Sequence, residues 1–143
     1  MDNYTDNPVE ILSEDECWEL LLSASLGRLG LSVADEPEIF PVNFVAADKR
    51  IVFRTAEGTK LLELTVNNRV ALETDGVGRD EAWSVVVKGT ARVLDKEWEI
   101  IAANALPLRP LVPTLKYNFV EIMPVAVTGR KFTLGPEPER NIP

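Results

Sequence analysis

The run Phe53-Arg54-Thr55-Ala56-Glu57-Gly58-Thr59-Lys60 concentrates more chemistry than any other stretch of the chain. It sets an arginine and a hydroxyl at the end of a β-rich segment, a glycine for a close turn, and then a hydroxyl and a lysine where a helix would begin. Converging donors of this kind suit a phosphate. Arg54 offers a planar fork, Lys60 a point charge, Thr55 and Thr59 hydroxyls, and a helix start its free N–H groups. Three charge-assisted bonds at roughly 1.5 to 3 kcal/mol each would support micromolar anchoring or better. Spacing alone favours a plainer reading, in which Arg54 and Lys60 are solvated residues at a strand end and a helix start.

Two further segments carry groups able to meet a ligand. Pro41 and Asn43 fall on one face of a β-rich run; Pro41 has no N–H to leave unpaired, and the Asn43 amide both donates and accepts. Trp83 and Ser84 open a long β-type segment, where the indole serves as a stacking wall or as core. Tyr117 is the one aromatic hydroxyl expected near a barrel rim, a candidate proton donor. Trp98, spaced with Ile101 and Ala102, reads as helix packing, and Cys17 as core.

Composition removes whole classes of function. The chain has no histidine and one cysteine, so Cys/His zinc sites, histidine-based triads and an internal disulfide are all excluded. A formal net charge of -8 over 143 residues opposes nucleic acid and anionic membrane surfaces. It does not oppose a small anionic cofactor, which is held at short range by local donors. No stretch has the apolar length of a bilayer span, and a cytoplasmic protein is the simplest expectation.

These groups need a frame. The length suits one domain over residues 1–143, with 1–10 and 133–143 expected as loose termini. Ser13 with Glu16 makes a capping box that starts a helix, with Gly27 as its expected stop. Period-two alternation then marks Leu29 to Val33, Ile39 to Ala46 and Ile51 to Thr55, the last two joined as a hairpin. Thr59 to Val66 reads as a short helix with Leu61, Leu62, Thr65 and Val66 inward. Val70 to Thr74 and Ala82 to Leu94 are further strands, with Gly89 expected at a bulge. Asp95 is the expected cap of a helix over Lys96 to Leu106, and Tyr117 to Phe132 returns to β-type sequence interrupted by Pro124. The frame is therefore mainly β: a six-stranded antiparallel Greek-key barrel with peripheral helices, or alternatively an open α+β sandwich.

Taken in order, the Gly-Arg-Leu-Gly strand, Pro-Val-Asn-Phe strand, Phe-Arg-Thr-x-x-Gly-Thr-Lys turn and Trp-Ser-Val-Val-Val-Lys-Gly strand resemble the pyridoxamine 5'-phosphate oxidase-like, FMN-binding split-barrel family. The resemblance implies a homodimer with flavin sites at the subunit interface and a flavin-dependent oxidoreductase acting on a small molecule. It puts Arg54, Thr55, Thr59 and Lys60 on the flavin phosphate and Pro41, Val42, Asn43 and Phe44 beside the ring and ribityl chain. It makes Ser84 a polar flavin contact with Trp83 next to it. The oxidase proper carries arginine and histidine groups in its C-terminal segment; this chain has a proline-rich tail and no histidine, which argues against vitamin B6 oxidation. Two alternatives stand beside this reading, the first implied by short members of the family. One is a deazaflavin coenzyme, whose long anionic tail would call on Arg28, Arg79 and Arg130; the other is a flavin-binding dimer without turnover. An empty barrel with an apolar pocket is the remaining reading.

Overall fold

Alternating sequence, two-residue turns and one capped helix build most of the architecture. The computed structural model describes residues 7–55, 63, 64, 66–108 and 118–140. In chain order they form β1 (Val9–Ile11), α1 (Glu14–Ser23), β2 (Leu26–Val33), β3 (Glu36–Ala47), β4 (Arg50–Thr55), β5 (Arg69–Val77), β6 (Glu81–Val93), α2 (Glu97–Asn104) and β7 (Asn118–Thr133). The strand order is β1-β7-β4-β3-β2-β5-β6, every pairing is antiparallel, and β6 pairs with β7 to close the ring. Three hairpin-connected strands, β2 to β4, are followed by β5, which returns to lie beside β2; this is a Greek key.

Six strands were expected and seven are present among the described residues. The extra one, β1, is only three residues long and pairs Val9, Glu10 and Ile11 with Phe132, Lys131 and Arg130 of β7. So short a segment shows no periodicity of its own, and it exists because β7 offers it an edge. Val9 and Glu10 are thus paired where a loose terminus was expected, and Thr133 pairs with Glu81.

Two turns set the register of the β2–β3 and β3–β4 hairpins. Ala34–Asp35 and Asp48–Lys49 all lie at positive φ, between 50° and 65°. Two consecutive left-handed residues give the hairpin twist that matches the flanking strands. Helix α1 starts as expected: the Ser13 hydroxyl accepts from Glu16 N–H at 3.2 Å, and the Glu16 carboxylate accepts from Ser13 N–H at 2.9 Å. The Ser13 N–H first, and the Ser13 hydroxyl after it, hold the Glu16 carboxyl below its ordinary value.

The helix ends at Ser23 rather than at Gly27, which lies inside β2. A Cβ on Gly27 would sit 2.9 Å from the Glu73 carbonyl and 3.1 Å from the Phe44 ring, so the glycine serves close strand contact instead of a helix stop. Gly89 does mark a bulge: opposite Gly89 stands Pro124 and opposite Lys88 stands Ala126, leaving Val125 unpaired between them. Pro124, without an N–H, fits that interruption of the ladder.

Leu29, Ile51, Phe53, Leu72, Val85, Val87, Val120 and Ile122 fill the barrel and are wholly excluded from solvent. Leu12, Cys17, Trp18 and Leu21 of the α1 region join this core. Burial and the nearby Glu16 and Glu14 push the Cys17 thiol up, as suits a packing residue. A second cluster of Val52, Leu94, Ala103 and Phe119 lies outside the first. Helix α2 presents Glu99 and Ala103 as its buried positions, so Trp98 and Ile101, expected to pack, are 67% and 63% exposed. The pairing of Glu99 with Arg92 turns the helix this way. Lys96 rather than Asp95 is its cap, donating its N–H to Glu99. Glu63, Leu64 and Val66 are helical. Leu64 is buried and Val66 exposed, the reverse of the inward reading of Val66, while Leu61, Leu62 and Thr65 lie outside the described residues.

Candidate functional site

Strand alternation divides the candidate residues between two faces of the wall. Ile51 and Phe53 of β4 belong to the barrel core, and Thr55, in phase with them, is 3% exposed. Arg54 is therefore on the outer face, with its guanidinium carbon 5.1 Å from the ring centroid of Phe119, its cross-strand partner. On β3, Val42 and Phe44 are core residues, 5% and 2% exposed, while Pro41 and Asn43 alternate outward with them. The side chains of Thr55, Val42 and Phe44 thus turn to the core side, away from those of Arg54, Pro41 and Asn43. A period of two places consecutive side chains on opposite sides. Thr59, Lys60 and Tyr117 lie outside the described residues.

Asn43 and Arg54 are close neighbours, because Phe44 stands opposite Phe53 in the β3–β4 ladder. Asn43 uses one amide hydrogen to hold the α1–β2 connection: its Nδ2 donates to the Ser25 carbonyl at 2.8 Å, and the Phe44 N–H donates to the same oxygen at 2.9 Å. Its other hydrogen and its carbonyl oxygen remain to be satisfied by a neighbour or ligand.

Trp83 and Ser84 lie elsewhere. One ladder row runs from Pro41 through Arg28, Glu73 and Val86 to Thr128, crossing β3, β2, β5, β6 and β7. Ser84 on β6 is thus three strand spacings from β3 and four from β4, on the order of 19 Å from Arg54 around a convex wall. In the other direction, Arg54 pairs with Phe119 whereas Ser84 pairs with Arg130, eleven residues along β7. Trp83 packs against the barrel core, its indole over Gly76, where a Cβ would meet the ring at 2.5 Å. Its ring belongs to the core side of the wall, opposite Ser84.

The charges on this outer face are mostly committed to one another. Arg28 donates to Glu73 at 3.1 Å and to Asp75 at 3.2 Å. Burial and the adjacent Asp75 raise the Glu73 carboxyl above its ordinary value, and the hydrogen bond to Asp75 raises Arg28 further. Beneath α2, Glu121 accepts from Arg50 at 3.2 Å and Arg92 grips Glu99 through both terminal nitrogens. Lys88 and Arg130 line a cleft of about 460 Å³ with Ser84 and Thr128, and neither makes an ion pair among the described residues. An adjoining cleft of about 650 Å³, with Gly30, Ile39, Ala71 and Val125 in its lining, also includes Lys88. Arg130 entered the sequence reading only as a scattered cation; Lys88 and Thr128 were missed. Their signal was the outward phase they share with Ser84, readable once β6 and β7 are paired.

Among the described residues no group of three or more histidine, cysteine, aspartate or glutamate side chains could hold a metal. No described helix is long and apolar enough to cross a membrane.

A closed Greek-key wall bearing Arg54, Asn43 and Ser84 on its outside narrows the class. The sequence profile of the family described as pyridoxamine 5'-phosphate oxidase matches residues 13–131, and the chain belongs to that family. It is 51% identical to a proposed pyridoxamine 5'-phosphate oxidase of Corynebacterium glutamicum, whose structure superposes with a TM-score of 0.86 over 94% of this chain and 100% of that one. It is 40% identical to the FAD binding protein of Mycobacterium smegmatis, with a TM-score of 0.76 over 87% of this chain and 98% of that one. The uncharacterized protein Rv3129 of Mycobacterium tuberculosis is 41% identical over 93 residues, 65% of this chain and 84% of the relative.

Proposed function

We propose that this chain is a flavin-binding oxidoreductase that acts as a homodimer, with FMN as the cofactor and a small molecule as the substrate. The observation that carries the reading is the outward Arg54, stacked on Phe119 at the end of β4 beside Asn43 and leading into Thr59 and Lys60. Arg54 and Lys60 would hold the phosphate, Asn43 the polar edge of the ring, and Ser84 a further polar contact. Bound flavin would supply the hydride chemistry, and the chain would supply orientation, exclusion of water and the local field.

A dimer follows from the separation of these groups. A single convex wall cannot enclose a planar cofactor between Arg54 and Ser84, whereas a second copy placing its β6 region against β4 of the first makes a concave site from two outer faces. Sedimentation of the purified protein tests this, and a monomer at micromolar concentration would sink it. FAD is a second reading, favoured by the FAD binding protein of Mycobacterium smegmatis at 40% identity. A deazaflavin is less favoured, since Arg28, one of the cations its tail would need, is held by two carboxylates.

The deciding experiment is the visible absorption spectrum of the purified protein, with mass analysis of the released cofactor. Arg54→Ala combined with Lys60→Ala removes two charge-assisted contacts, each worth roughly 1.5 to 3 kcal/mol, and should weaken flavin binding at least a hundredfold with the fold intact. Unchanged retention of flavin would refute the assigned site. Oxidation of reduced nicotinamide by the loaded protein separates an enzyme from a store: no turnover with any electron donor identifies a binding dimer.

A further inference from the structure

We infer that the cleft between β6 and β7 recognises the anionic group of an amphipathic substrate, whose apolar body lies along the adjoining cleft over β2 and β3. This deepens the oxidoreductase reading and rests on it only for the word substrate. The cleft is lined by Ser84 and Lys88 of β6 and by Thr128 and Arg130 of β7, two cations and two hydroxyls with no carboxylate in the lining. The chain carries a net charge of -8, and Arg28, Arg50, Arg92 and Arg140 are each neutralised by a carboxylate. Lys88 and Arg130, like Lys49, Arg69, Arg79, Lys96 and Lys131, make no ion pair among the described residues, but these two face one cleft from its two ends. Lys88 stands opposite Ala126 and Arg130 opposite Ser84, on the order of 13 Å apart along the strands, with Thr128 between them. Both side chains are long enough to converge over the hydroxyl between them, where one anion would accept from each.

The apolar half comes from the continuity of the two clefts. Lys88 lines both, and the neighbouring space of about 650 Å³ is lined by Gly30, Ile39, Ala71 and Val125, with Glu38 and Arg69 among its polar members. Volumes of about 460 and 650 Å³ are those of small-molecule sites. The cations select against a neutral or basic ligand, and the apolar wall selects against a bare inorganic ion. What fits is an apolar carboxylate or phosphate ester. It is distinct from the proposed cofactor phosphate, because Arg54 pairs with Phe119, eleven residues along β7 from Arg130.

The test is calorimetric titration of the flavin-loaded protein with octanoate and octyl phosphate, and with octanol as the neutral counterpart. At least one of the two anions should bind the wild-type protein. Lys88→Gln with Arg130→Gln should weaken that binding tenfold or more, while Lys49→Gln in the β3–β4 turn leaves it unchanged and octanol responds to neither. The charge-conserving Arg130→Lys should keep most of the affinity, which guards against a merely misfolded double variant. No binding of either anion by the wild type, or equal binding by the double variant, overturns the proposal. Flavin content read by absorbance in the same samples separates the two claims. Anion binding in a protein that carries no flavin would sink only the oxidoreductase reading, and retained flavin with unchanged anion affinity would sink only this one.

Discussion

Gly89→Ala tests how the barrel closes. The β6–β7 pairing runs from Glu81–Thr133 to Val93–Val120 and is broken once, at the Lys88–Gly89 step. Gly89 has an ordinary negative φ, so alanine is not excluded by backbone conformation. What excludes it is space. A Cβ there would lie 2.1 Å from the Met123 carbonyl oxygen, 2.9 Å from the carbonyl carbon and 3.0 Å from the Pro124 Cα, all main-chain atoms. Ordinary contact is about 3.5 Å, so the strands must part by more than an ångström. That parting strains the core below and weakens neighbouring ladder bonds worth about 1 kcal/mol each. A loss of about 3 kcal/mol is expected, a large share of the 5 to 15 kcal/mol typical of a domain. Gly30→Ala is the control: its added Cβ meets nothing nearer than the Ala71 carbonyl at 3.7 Å. It should shift stability by less than about 1 kcal/mol, with a gain as reasonable as a loss because glycine weakens strand interiors. Urea unfolding followed by tryptophan fluorescence measures both. Equal midpoints for the two variants would refute the claim that main-chain crowding at Gly89 shapes the closure.

The remaining expectations concern charge and capping. The hydrogen bond from Arg92 holds the Glu99 carboxyl below its ordinary value of 4.5, with burial opposing. A carboxyl depressed on folding stabilises above its unfolded value and ceases to do so as pH falls through the folded one. Wild-type stability should therefore decline on acidification below about pH 4.5 more steeply than that of Glu99→Gln, and parallel denaturation curves across that range would remove Glu99 from the account. Glu73, raised by burial and Asp75, titrates with the opposite sign, so the comparison must be made against the wild type. Ser13→Ala should cost about 1 kcal/mol by removing the α1 cap, read as a shift in the thermal midpoint; no shift would mean that the Glu16 bond to Ser13 N–H suffices alone.

What could be read before the fold was known were features encoded within a few residues. The Ser13–Glu16 box, the Asp48–Lys49 turn and the Gly89 bulge are each set by side chains next to one another, and each stands where expected. Features decided across the barrel were not readable in the same way. Gly27 looks like a helix stop until Glu73 and Phe44 crowd it, and β1 has no pattern of its own before β7 lies alongside. The candidate site shows the same division. Arg54 and Asn43 were singled out from residue type and Ser84 from the family resemblance, and alternation alone predicts that Thr55, Val42 and Phe44 turn inward. The Lys88–Arg130 cleft needed the β6–β7 register, since forty-five residues of intervening chain hide the pairing of Ser84 with Arg130 from any local reading until both strands are aligned.

The contact of Val9 with Phe132 joins residues separated by most of the sequence. No early local collapse can satisfy β1, whose backbone must wait in water until β7 has been made and docked. Chains with such distant pairings cross their folding barrier slowly, in milliseconds to seconds rather than microseconds. During that wait the outer edge of β7 is an open template, and the three residues that eventually cover it act as a latch against pairing with a neighbouring molecule.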